Sequence, residues 1–346
     1  MYIENQQIKN YVSIWLVTMF SLISVMIIVG GLTRLTDSGL SITQWQLFSG
    51  IIPPLNDQHW VNYFNLYKNT SEYKLQNFYM SIDEFKIIFW WEWLHRFLGR
   101  LIGIYYLIPL IFFSFKIRFK NLIILYLIFF LICFQGFMGW YMVSSGLVDR
   151  IDVSHFRLSV HLVIAFIILS LILWNYFNTK IIVFSDEKLK FSIPVIFLIL
   201  IFMQITIGAF VSGMDAGKIY NSWPLMGASY FPNDNNFIDL FNFSAFSEPS
   251  LVQFMHRNLA YIICLFYLFL LIKIYINNLS KFYFAINILG LVLLIQVLLG
   301  IFTLTHNAQL MLSSMHQITS IFLVSTSVYL LYLNSKSSKH HSNQLF

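Results

Sequence analysis

Between Trp90 and Arg100 the chain reads WWEWLHRFLGR, which puts Glu92, His95, Arg96 and Arg100 into one apolar stretch. Glu92 and His95 are three residues apart, so on a helix they share a face. A carboxylate can take up or give a proton, and an imidazole can do that or ligate a metal. Ionisable groups are costly inside a membrane-spanning helix, so their presence there points to function. The pattern recurs. EWLHR ending at Arg96 matches QFMHR ending at Arg257, and LSVH ending at His161 matches SSMH ending at His316. His95, His161, His256 and His316 therefore form two repeated pairs.

A single histidine in an apolar helix is more often a hydrogen-bonded packing residue than a ligand. Four at one depth, each within about two turns of a helix end, favour axial ligation of haem iron by two imidazoles from two helices of one bundle. Structural zinc would want four ligands in one site, usually with cysteine. A proton relay would want a chain of acids along the helices, and that chain is missing. His155 and His306 lie near the same surface but are not duplicated, and are secondary candidates. His59 falls in a long loop, and His340 and His341 in a polar tail. Arg96 and Arg257 directly follow a paired histidine, where a guanidinium can bind a porphyrin propionate or extend to lipid headgroups. Glu92 has Gln253 at its repeat position. Its confinement to the first half implies a role that only that half performs; the alternative is an interfacial charge.

These residues need elements to hold them. The 346 residues are 58% hydrophobic and 10% charged, with mean hydropathy +0.71. A soluble domain carries roughly twice that charge. Long apolar runs predict eight membrane helices at roughly 13–32, 93–113, 122–143, 156–177, 192–212, 253–273, 283–304 and 311–333. Basic residues gather in the connections after even-numbered spans: Lys116, Arg118 and Lys120, then Lys180, Lys188 and Lys190, then Lys273 and Lys281. Lys336 and Lys339 follow the last span. Acids such as Asp57, Asp83, Glu84, Asp152, Asp234, Asp239 and Glu248 gather on the other side. The positive-inside rule places both termini in the cytoplasm. The charge of +6 is therefore a topology signal, not a nucleic-acid footprint. No Arg- and Ser-rich presequence precedes the first span, which favours a bacterial inner membrane. Cys133 and Cys264 read as small apolar core residues.

The repeat extends beyond the histidines. VGGLTRLTDSGLSITQW (29–45) aligns without a gap on IGAFVSGMDAGKIYNSW (207–223). Gly30 pairs with Gly208, Asp37 with Asp215 and Trp45 with Trp223; later, Gln135 pairs with Gln296 and Gly139 with Gly300. Four spans per half make the repeats parallel. The expected fold is all-α: two four-helix bundles, residues 1–180 and 181–346, with a cofactor in each core. TDSG and MDAG read as helix-ending turns, with Gly39 and Gly217 free to take left-handed conformations; a lid over the pocket is the functional alternative. Two long loops, about 33–89 and 213–251, lie outside.

GGLTRLTDSGLSITQW, EWLHRFLGRLIG, DAGKIYNSWPLMG, LVQFMHRNLAY and SSMHQ together resemble the heme A synthase family, over nearly all eight spans and both outer loops. The resemblance implies an integral membrane enzyme that oxidises the C8 methyl of heme O to a formyl group in two steps. It implies haem-liganding His95, His161, His256 and His316, and an essential Glu92. On this reading His95, His161 and Arg96 hold substrate haem, while His256, His316 and Arg257 hold a permanent heme b. Heme O synthase and oxidase assembly factors are the implied partners. The first outer loop lacks the cysteine pair of some bacterial members, and Gln44 and Met255 depart from the family motifs. A bis-histidine electron-transfer cytochrome and a haem transporter are the rival classes. The first has no use for a one-sided Glu92, and the second favours broken helices at the midplane.

Overall fold

The computed structural model describes residues 5–45, 49–149, 151–183 and 185–336; Lys339, His340 and His341 lie outside these ranges. Helices dominate: α1 (Gln6–Leu35), α2 (Asp57–Tyr67), α3 (Ser71–Leu75), α4 (Ile82–Ser114), α5 (Ile123–Asp149), α6 (His155–Lys180), α7 (Ser192–Gly213), α8 (Pro249–Ile276), α9 (Tyr283–Thr305) and α10 (Leu310–Ser335). All but α2 and α3 are long and apolar enough to cross a membrane. Among the described residues no strand forms beyond an isolated bridge, Met226 to Ser229.

Helix packing follows one scheme twice. α1 packs on α4 and α6, and α5 packs on the same two, so four helices close a ring. α7 and α9 likewise each pack on α8 and α10. The two rings meet through α1 and α6 on one side and α7 and α10 on the other. Lipid tails are as apolar as leucine, so burial alone does not bring helices together in a bilayer; close approach and interhelical hydrogen bonds do. At the junction a Cβ on Gly31 would sit 1.6 Å from the Gln317 amide oxygen. The missing side chain lets Gln317 Nε2 donate to the Ile27 carbonyl at 2.8 Å.

The helices overrun the spans expected from hydropathy, most of all α4, which begins at Ile82 and not near residue 93. Ser81 caps it in a capping box with Glu84, and Asp83 and Glu84 suit the positive end of the helix dipole. Its 33 residues span about 50 Å, against about 30 Å of bilayer hydrocarbon. The surplus outer turns carry a cap. There α2, α3 and the loop after α1 bury Ile42, Phe64, Tyr67, Phe85, Ile88 and Phe89 in a separate apolar cluster. In water such burial stabilises by about 1.5–3 kcal/mol per large side chain.

The turns after α1 and α7 hold a second correction. Gly39 and Gly217 are not the left-handed residues; Asp37 (φ 47°) and Asp215 (φ 51°) are. Aspartate tolerates this conformation through its short polar side chain, and both aspartates meet Arg34. Its guanidinium lies 2.5 Å from Asp37, 3.5 Å from Asp215 and 3.7 Å from Asp152. It also donates to the Ser212 carbonyl at 3.0 Å. Ser212 is the repeat counterpart of Arg34, so this one cation joins equivalent turns of both halves.

Candidate functional site

α4 and α6 bring His95 and His161 together, with ring centres 6.4 Å apart and planes tilted by 58°. α8 and α10 do the same for His256 and His316, also at 6.4 Å. An imidazole nitrogen sits about 2.0 Å from a bound transition metal and about 1.1 Å from its own ring centre, so two imidazoles flanking one iron have centres about 6.2 Å apart. Both pairs match that spacing. Two ligands per site suit a porphyrin, whose own nitrogens complete the coordination. Among the described residues no three of His, Cys, Asp and Glu converge on one point.

A glycine makes room for each ring. A Cβ on Gly30 would lie 3.0 Å from His95, on Gly139 3.2 Å from His161, on Gly208 3.0 Å from His256 and on Gly300 3.0 Å from His316. Such distances are too short for an ordinary Cβ contact, so these glycines of α1, α5, α7 and α9 fix where the imidazoles stand. Glutamines brace the same residues. Gln135 Nε2 donates to the His161 carbonyl at 2.8 Å, and Gln204 Nε2 to the His256 carbonyl at 3.0 Å. His316 Nδ1 faces the Gln296 carbonyl at 3.1 Å. A carbonyl only accepts, so Nδ1 carries the proton there and Nε2 is left as an acceptor, which faces the Gln296 side-chain nitrogen at 3.4 Å. Among the described residues, the side-chain oxygens of Gln135, Gln204 and Gln296, and Nδ1 of His161 and His256, are buried without hydrogen-bond partners. Such orphaned polar atoms need an explanation, and a site shaped for a further group supplies one.

His95 differs from the other three in its distance from the start of its helix. It comes thirteen positions after the first residue of α4, whereas His161, His256 and His316 stand six or seven into their helices. The expectation of two turns therefore fails for His95, because α4 runs on outside the bilayer.

Glu92 is 2% exposed. One carboxylate oxygen accepts from Ser41 Oγ and from the Ile42 amide, both at 2.7 Å. The other lies 2.5 Å from Arg96 Nη2. Arg96 donates to the carbonyls of Ile42 (2.8 Å) and Gln44 (3.3 Å), and stands over the Trp45 ring at 5.4 Å. The second half repeats the clasp: Arg257 donates to Tyr220 (2.9 Å) and Ser222 (2.9 Å), the counterparts of Ile42 and Gln44. There Gln253 donates to the Tyr220 carbonyl at 3.1 Å where Glu92 accepts the Ile42 amide. Sequence reasoning offered Arg96 and Arg257 a propionate or a headgroup; the structure gives both a loop backbone to hold. It also missed Gln204, four residues before Gly208, whose counterpart before Gly30 is Met26. The signal was its spacing, four residues before a glycine, which it shares with Gln135–Gly139 and Gln296–Gly300.

His155 packs against Phe156 and Phe210, and His306 is exposed with Nδ1 2.9 Å from the Phe302 carbonyl; neither joins a histidine pair. His59 is exposed in α2, and Cys133 is exposed rather than core. In the outer cap, burial pushes the Glu72 carboxyl up to about 9, with Glu92, Asp152 and Asp37 adding repulsion. Burial likewise raises Tyr67 and Asp152.

Comparison with known proteins gives a consistent picture. The model of a family described as cytochrome oxidase assembly protein matches residues 13–328. A heme A synthase of Pelagibacter ubique is 47% identical over 343 residues, covering 97% of this chain and 100% of that protein. A heme A synthase of Rickettsia bellii is 43% identical, covering 91% and 96%. One of Maricaulis maris is 41% identical, covering 90% and 92%.

Proposed function

The chain belongs to the cytochrome oxidase assembly protein family, and from that membership we propose that it forms heme A from heme O as a multi-pass protein of a bacterial inner membrane. The observation that carries this reading is the doubled histidine pair at 6.4 Å, with a carboxylate in only one copy. The reaction is oxidation of the C8 methyl in two stages, through an alcohol and then a hydrated aldehyde that loses water. Heme O synthase and oxidase assembly factors are the partners this chemistry calls for.

The halves divide the work. His95 and His161 hold the substrate haem in the first half and fix its register, as chemistry at one ring methyl requires. Gly30 and Gly139 set the two imidazoles. Glu92 is the proton-handling group, held in place by Arg96, Ser41 and the Ile42 amide. Through the same bonds Glu92 and Arg96 hold the loop after α1 over the site and exclude water. In the second half His256 and His316 are the ligands for a resident heme b, which when bound supplies one-electron chemistry. Gln204 and Gln296 orient those two histidines, and Arg257 and Gln253 hold the covering loop. Gln253 cannot exchange a proton, which suits a half that does no chemistry on its haem.

The test is haem extraction after co-expression with a heme O producer. The account expects heme A. Recovery of heme O and heme b alone would leave an electron-transfer cytochrome or a haem carrier in its place.

A further inference from the structure

The helices that carry His95 and Gly139, α4 and α5, close against each other at the ends remote from the histidines. There Ser114 Oγ and the Tyr126 hydroxyl are hydrogen-bonded at 2.6 Å. The Tyr106 hydroxyl donates to the Leu125 carbonyl at 2.9 Å, and the Tyr106 ring stacks on Phe129 at 6.2 Å. Toward the histidines the same two faces carry glycine. Gly103 stands three residues before Tyr106 and Gly136 seven after Phe129, spacings that keep each on the face of that neighbour. Eleven residues separate Gly103 from Ser114, and ten separate Tyr126 from Gly136. The two glycines therefore stand level across the seam, about 15 Å from the Ser114–Tyr126 bond.

Glycines on facing membrane helices ordinarily let the backbones close up. A Cβ there would then collide, as one on Gly290 would with the Tyr267 side chain. A Cβ on Gly103 or on Gly136 would meet nothing within 4 Å, so the seam is a cleft at this level. It leads to the histidine pair. Gly103, Gly99 and His95 follow at four-residue spacing along α4, and Gly136 lies one turn before Gly139, where a Cβ would stand 3.2 Å from His161. The Met26 methyl, 3.4 Å from a Cβ on Gly99, makes the wall apolar. Beside it, among the described residues, Gln135 Oε1 and His161 Nδ1 are buried without hydrogen-bond partners, which independently marks the site as shaped for a further group. The second half is closed at the same level. Its Tyr267 hydroxyl donates to the Ile286 carbonyl at 3.3 Å, and Tyr275 and Asn287 are hydrogen-bonded, in repeat of the first half. Yet Cys264 and Val297 replace Gly103 and Gly136, and both pack on the main apolar core. Ala260 stands for Gly99 and Gln204 for Met26.

We propose that this cleft receives the isoprenoid side chain of heme O, which makes Gly103 and Gly136 specificity-determining residues of the first half. This rests on the reading that the first half binds the substrate haem. Heme O carries a long apolar isoprenoid chain where heme b has a vinyl group, and the halves differ in the matching way. The first is open and apolar at Gly103, Gly136 and Met26. The second is filled by Cys264 and Val297 and is polar at Gln204. The held chain also supplies register. Two axial imidazoles leave a porphyrin free to turn about the axis through its iron. A side chain lodged between α4 and α5 stops that turn and fixes which ring methyl is presented for oxidation. Filling the cleft excludes the longer haem and spares the shorter one, a steric discrimination of the kind an apolar pocket provides.

The test is a spectroscopic titration of the purified full-length protein, its second half loaded with heme b, by heme O and separately by further heme b. The wild-type first half should bind heme O at least tenfold more tightly than heme b, on the scale that apolar pockets discriminate. Gly103→Cys combined with Gly136→Val copies the second half. It should weaken heme O binding at least tenfold, leave the binding of heme b as it was, and raise KM for heme O in heme A formation. If the double variant loses its second-half heme b, Gly136→Val alone carries the same comparison. A wild type without the preference overturns the assignment of the cleft. So does a variant that keeps its heme O affinity, or one that loses both haems equally. A wild type that prefers heme O, beside a variant that has lost the preference, supports the cleft; if that wild type forms no heme A, the proposed function fails and the occupant of the cleft stands.

Discussion

The two halves hold their histidines in the same way and differ around them. Each pair stands at 6.4 Å between two glycines, and each has an arginine clasping equivalent loop carbonyls. In the first half α4 runs on past the bilayer and carries a folded cap. In the second half α8 starts at Pro249, seven positions before His256. The first half has Glu92 and Met26 where the second has Gln253 and Gln204. A repeated scaffold can thus keep its histidine geometry while only one copy carries an ionisable group and a cover. On the proposed function, the shared parts serve to hold a haem and the unshared parts serve the reaction.

The largest effect should come from erasing the difference at Glu92. Glu92→Gln gives the first half the amide that Gln253 already shows to be compatible with the clasp. Heme A formation should drop at least a hundredfold, the order that positioned acid–base groups contribute, with haem b content unchanged on a pyridine haemochrome assay. Accumulating alcohol would place Glu92 in the second oxidation, and accumulating heme O in the first. Wild-type yield of heme A would make Glu92 an interfacial charge.

Crowding one imidazole at a time comes next. Gly208→Val should lower haem b content to less than half and destabilise the protein by about 1–3 kcal/mol. Gly30→Val should leave haem b in place and reduce heme A. Equal effects of both on haem b would show that the halves do not bind independently.

The pH dependence of stability should be one-sided. The Glu72 carboxyl rises from its ordinary 4.5 to about 9 in the folded protein. Between those values the folded state binds a proton that the unfolded state lacks, so stability falls as pH rises through that window. The limit is about 1.4 kcal/mol per pH unit. Thermal unfolding of the wild type should follow this slope, and Glu72→Gln should flatten it.

The smallest effect should fall on the cap alone. Ser81→Ala removes the capping box of α4 and should cost about 1 kcal/mol, seen as faster hydrogen exchange in residues 82–89. The second half, whose α8 begins without a side-chain cap, should be untouched.

Much of this was legible in the sequence. Apolar runs gave the eight membrane helices, and the separately repeated EWLHR/QFMHR and LSVH/SSMH motifs gave both histidine pairs. The first turns of α4 were not seen, because hydropathy reports apolar runs and those turns carry Asp83, Glu84 and Lys86; the Ser81–Glu84 capping pattern was the readable sign. Gly39 and Gly217 drew attention away from Asp37 and Asp215, since glycine is the usual left-handed residue and aspartate adopts that conformation when a partner such as Arg34 holds it. The carbonyls held by Arg96 and Arg257 could not be read at all, because backbone atoms carry no sequence signature. The glycines beside the histidines were aligned correctly, but their purpose needed three dimensions.

The central claim, a resident haem in the second half and a substrate haem in the first, is tested most directly by the haem content of single histidine variants. His256→Ala and His316→Ala should lose the low-spin haem b spectrum and become less stable, since a cofactor bound only by the folded state stabilises it. His95→Ala and His161→Ala should keep that spectrum and form no heme A. A His95→Ala protein stripped of haem b, beside a His256→Ala protein that retains it, would contradict the assignment and reverse the two halves.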